Sequence, residues 1–103
     1  MTVRDNDAGL EAQALQLSEE LTIAVSGELH QQLAARLEQG GDIRLDAGAV
    51  TRVDAAIIQL LYQVQRVLVE TGCRLEWAGV SPAFARSVAL LGMSTHLQMP
   101  ADA

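Results

Sequence analysis

Aromatic side chains are almost missing from this chain: Tyr62, Trp77 and Phe84 are the only ones among 103 residues. A core must therefore be built from Leu, Val, Ile and Ala. That composition suits helices on a small sheet better than an all-β sandwich, whose strands favour β-branched and aromatic residues. Cysteine occurs once, as Cys73, so no internal disulfide can form and a reducing cytoplasm is the simplest home. Basic residues are outnumbered, 7 against 13 acidic, giving a formal charge of -6. The sign argues against nucleic acid and against an anionic membrane surface, both of which are bound through Lys and Arg clusters. No basic stretch leads into an apolar run at the start of the chain, so no signal peptide is expected. The apolar run from Ala55 to Val69 is broken by Gln59, Gln63, Gln65 and Arg66 and is too short to span a bilayer. Direct membrane insertion is therefore not expected.

What is present is enough for one domain, since half the residues are hydrophobic and can fill a single core. Residues from Met1 to about Glu11 are small or polar, and 1–13 reads as a loose N-terminal segment. A single domain is expected over 14–99, followed by a short tail over 100–103. Leu15 and Leu17, then Leu21, Ile23 and Val25, alternate with polar neighbours and predict two half-buried strands joined by a tight turn. A helix is predicted from Glu28 or His30 to about Glu38, with Leu29, Leu33, Ala34 and Leu37 on one face, stopped by Gly40-Gly41. Ile43 and Leu45 start a third strand, and Ala47 to Val53 read as a connection.

Asp54 is placed to cap the next helix, Ala55 to Glu70, which carries Ile57, Leu60, Leu61, Val64, Val67 and Leu68 as a broad stripe. Arg74 to Ala78 reads as a fourth strand. Ser81-Pro82 pairs a capping hydroxyl with the residue tolerated at the first helical position, and that helix runs to Gly92. Leu97 and Met99 suggest a short edge strand ended by Pro100. The order β-β-α-β-α-β-α predicts an α/β fold: a small mixed sheet of four to five strands with about three helices packed on it.

Several marks in this order resemble the STAS family, the sulfate-transporter and anti-sigma-factor-antagonist domains. They are Val25-Ser26-Gly27-Glu28-Leu29 leading into the first helix, Leu45-Asp46 at a strand end, and the Val53-Asp54 loop. Gly72, Gly79-Val80-Ser81-Pro82 and Leu90-Leu91-Gly92-Met93 complete the set. The resemblance runs from about Leu15 to Leu97. It implies a protein-binding regulator, not an enzyme, on a fold like that of the anti-sigma antagonists. In those proteins a hydroxyl after the loop aspartate is the kinase target, and phosphate there breaks the complex by repulsion and desolvation. Here Ala55 and Ala56 stand at those positions, followed by Ile57, so the usual phosphate acceptor is absent.

The resemblance then implies a bacterial signalling adaptor that binds an anti-sigma, histidine-kinase-like or chemotaxis protein. The alternative it implies is an accessory STAS subunit of an ABC-type phospholipid transporter, bound to the cytoplasmic ATPase. Asp54, Ala55, Ile58, Gln59 and Tyr62 are the expected partner-contact residues, and a homo-oligomer is left open. Asp46 is read as facing the same loop region or as a solvated strand end. No carboxylate pair is placed for acid–base work, and His30 and His96 lack a metal-ligand spacing. Cys73 reads as a small buried hydrophobe without a partner base. No catalytic residue, metal site or cofactor is expected.

Overall fold

A computed structural model describes residues 14–99. The expected loose segment over 1–13 and the tail over 100–103 lie outside the described residues. Among the described residues the chain forms five strands and three α-helices. They run in the order β1 (Leu15–Gln16), β2 (Glu20–Leu21), α1 (Ser26–Gln39), β3 (Ile43–Ala47), β4 (Arg52–Val53), α2 (Ala55–Glu70), β5 (Leu75–Val80) and α3 (Pro82–Leu90). This is the α/β fold expected from the alternation of strands and helices.

The strands are distributed differently from a single mixed sheet. One sheet has the order β1-β3-β5 and a second consists of β2 and β4, and every pair is parallel. The two early strands therefore do not form a hairpin with each other. After β1, the Leu17 amide donates to Asp46 O at 3.0 Å, which keeps the chain beside β3. The Glu19 carbonyl then turns to accept from the amides of Thr51 and Arg52, at 2.7 and 3.2 Å. That switch creates β4 inside the stretch read as a connection. It also ends the alternation early: Ile23–Val25 is a 3-10 turn and not strand, and α1 begins at Ser26 instead of Glu28 or His30.

In the larger sheet, β3 alternates cleanly, with Ile43, Leu45 and Ala47 buried and Arg44 exposed between them. Leu45 pairs with Trp77, but Asp46 pairs with Gly79, so β5 carries one extra residue at Ala78. The bulge has a visible cause. Asp46 Oδ1 accepts from the Gly48 amide at 2.9 Å, closing the turn after β3. A Cβ at position 79 would lie 2.9 Å from that same oxygen, so a larger residue there would push the Asp46 carboxylate off its bond to Gly48. Asp46 is thus half-buried and structural.

Helix α2 lies against this sheet through Ile57, Ile58, Leu61, Val64 and Leu68, all buried. Each such side chain contributes about 1.5–3 kcal/mol by leaving water. Gln65 is buried among them, with its Oε1 accepting from the Leu75 amide at 2.8 Å at the first residue of β5. Ser81 caps α3 as predicted: its hydroxyl accepts from the Phe84 amide at 3.0 Å and donates to Val50 O at 2.6 Å. Phe84 packs against Trp77, and the Trp77 indole donates to Leu97 O at 2.8 Å. Ser94–Gln98 form turns, closed by bonds from the Leu97, Gln98 and Met99 amides to the Met93, Thr95 and Ser94 carbonyls, where a short strand was expected at Leu97 and Met99. Every buried side-chain nitrogen or oxygen among the described residues has a hydrogen-bond partner.

Candidate protein-contact surface

The loop aspartate and the helix after it sit where β4 runs into α2. Asp54 occupies the N-cap position in extended backbone, but its carboxylate makes no cap bond. The Asp54 carbonyl instead accepts from the Ile57 and Ile58 amides, at 3.0 and 3.3 Å. Its Oδ2 reaches across and accepts from the Ile23 amide at 3.1 Å. Its other oxygen lies 3.9 Å from Arg52 Nε, a loose and exposed pair that adds little. The aspartate therefore ties the 3-10 turn to the start of α2, a role that local capping rules do not foresee. Ser26 tightens the same turn by donating from Oγ to Ile23 O at 2.8 Å.

The tie brings two stretches side by side, Glu19 to Ala24 and Thr51 to Ala56. Leu21 pairs with Val53 and is buried, while the side chains beyond it turn outward. Ile23 is 64% exposed, and Ala24, Ala55, Ala56 and Gln59 are exposed as well. The result is a small apolar surface with a fixed backbone. Glu19, Glu20 and Arg52 are exposed along its edge.

The expected contact residues divide here. Ala55 and Gln59 lie on the surface, Asp54 stands at its edge, and Tyr62 is half-buried one turn further along. Ile58 does not belong to the surface. It is 0% exposed and part of the core, because the buried stripe of α2 is rotated from the expected one: Ile58 and Gln65 lie in it, whereas Leu60 is half-buried and Val67 is exposed. Tyr62 is also occupied: His96 meets its ring edge-on at 5.3 Å between centroids, and Arg66 lies 5.9 Å from its centre. Ile23 and Ala24 were missed, since the alternation of Leu21, Ile23 and Val25 matched a strand. The one signal against a strand was Ser26-Gly27, a helix opening that leaves no room for Val25 to pair.

Elsewhere, His30 is exposed on α1 at a shallow apolar groove shared with Leu60, Val64 and Val67 of α2. Cys73 is half-buried, with Sγ 3.8 Å from Thr71 O. The described residues contain no cluster of three His, Cys, Asp or Glu side chains able to hold a metal ion. None of their helices is long and apolar enough to cross a membrane.

Against protein-family models, residues 5–99 match one described as "Mlab, STAS domain". The chain belongs to the STAS domain family. Searches of curated proteins and of solved structures gave no match.

Proposed function

We propose that this STAS domain is a non-enzymatic protein-binding regulator that works in the cytoplasm through the start of α2 and the adjoining 3-10 turn. The observation that carries the reading is the exposure of Ala55 and Ala56 at a helix start tied to the adjoining turn by Asp54. These are the positions at which the resemblance to anti-sigma antagonists puts a phosphorylatable hydroxyl. A surface of the right location remains, while the group that would switch it off does not. Binding at this surface is then constitutive, and control passes to the partner or to its abundance.

An anti-sigma, histidine-kinase-like or chemotaxis protein is the first partner class. The same alanines favour a second: a permanent subunit has no use for an off-switch, which suits an accessory STAS subunit on the ATPase of an ABC-type phospholipid transporter. Ala55→Arg tests the surface without touching the core, because the residue it replaces is exposed. Wild-type and variant chains are used as bait in lysate of the native cell, with bound proteins identified by mass. One protein held by the wild type and lost with Ala55→Arg is the expected result, and its identity decides between the two classes. Equal capture by both chains removes the helix start as the contact surface.

A further inference from the structure

The edge of this surface says what chemistry its partner must carry. Three carboxylates line the joined stretches, Glu19, Glu20 and Asp54, against one guanidinium, Arg52. Glu19 and Glu20 have exposed side chains, and Glu20 stands beside Arg52 in the parallel register of β2 and β4. Ile23 follows them in the same stretch, 64% exposed, with its amide bonded to Asp54 and its carbonyl to Ser26. The chain as a whole carries a charge of -6, so its far field has the same sign as this edge.

We propose that the surface takes a basic protein partner, with Ile23 seated in an apolar recess and partner Lys or Arg side chains meeting Glu19 and Glu20. The inference rests on the reading that the helix start is the contact surface, and it adds the partner's charge. The two parts of the surface divide the work. Edge charges steer the encounter and set its salt dependence, since exposed charges act over about 8 Å at physiological ionic strength. A desolvated aliphatic anchor at the centre slows dissociation. A nucleic acid or an anionic lipid is repelled by the same edge, so the basic partner is a protein.

The test uses two amphipathic helical peptides of equal length, one of Leu and Lys and one with Glu replacing every Lys. Each is titrated into the isotope-labelled chain while backbone amide shifts are followed. The Lys peptide is expected to shift Ile23, Ala24, Ala55, Ala56 and Gln59, and the Glu peptide to shift none of them. Raising salt from about 0.05 to about 0.3 M weakens the binding. Ile23→Ser and the double variant Glu19→Lys, Glu20→Lys each weaken it roughly tenfold or more. Attraction of a cationic peptide to an acidic protein by charge alone would ignore Ile23→Ser, and that result overturns the inference. Binding of the Glu peptide at the same amides also overturns it, yet leaves the helix start standing as a contact surface. Failure of that underlying reading shows separately, as capture unaffected by Ala55→Arg.

Discussion

The two sides of α2 obey different rules. Facing the sheet, Ile57, Ile58, Leu61 and Val64 are sealed, and the one polar group among them, Gln65, is spent on the Leu75 amide. Facing away at the helix start, Ala55, Ala56 and Gln59 are left in water, beside the bond by which Asp54 ties the helix start to Ile23. A face with every group satisfied has no capacity left for a ligand. A rigid face with small side chains turned outward is cheap to dock against, because little side-chain entropy remains to be lost. On the proposed reading, stability and recognition would use opposite faces of the same helix.

The most damaging way to break this contrast is to put a charge on the sealed side. Ile58→Arg buries an unpaired guanidinium at a site with no exposure and is expected to cost about 3–5 kcal/mol or to abolish folding, read by chemical denaturation. That outcome makes Ile58→Arg unusable as a binding probe. Gly79→Ala comes next. Its new methyl meets Asp46 Oδ1 at 2.9 Å, with an expected loss of about 1–3 kcal/mol. In an Asp46→Ala background the same substitution should cost less, and a double-mutant cycle gives the coupling directly. Gln65→Met keeps the volume but leaves the Leu75 amide without its acceptor, for an expected loss of about 1–3 kcal/mol. On the open side, Ile23→Ser should stay within about 0.5 kcal/mol of wild type by the same assay. Stability losses of equal size on both sides would erase the distinction.

Much of the sheet and helix order was legible because its periodicity is strong. Ile43-Arg44-Leu45 alternates, the stripe of α2 repeats at helical spacing, and Ser81-Pro82 announces α3. The misreadings arose where long-range bonds overrule local pattern. Ile23 alternates like a strand residue, but the Glu19 carbonyl is drawn to Thr51 and Arg52, and the chain turns instead. Leu97 looked like strand because nothing in its neighbourhood reveals that the Trp77 indole claims its carbonyl. At the proposed contact surface, Ala55 and Ala56 are legible in the sequence alone. Ile58 was misassigned because helical spacing gives the centre of a buried stripe better than its edges. Asp54 looked like a cap, and only the fold shows that its carboxylate serves a residue 31 positions away.

The most direct test of the account is comparative capture from native lysate by wild type, Ala55→Arg and Val69→Arg. Val69 is 56% exposed near the far end of α2 and supplies the control for an added surface charge. One protein should be retained by wild type and Val69→Arg and lost with Ala55→Arg, all three chains being folded. Retention by Ala55→Arg with loss at Val69→Arg would place the contact at the other end of the helix and contradict the account.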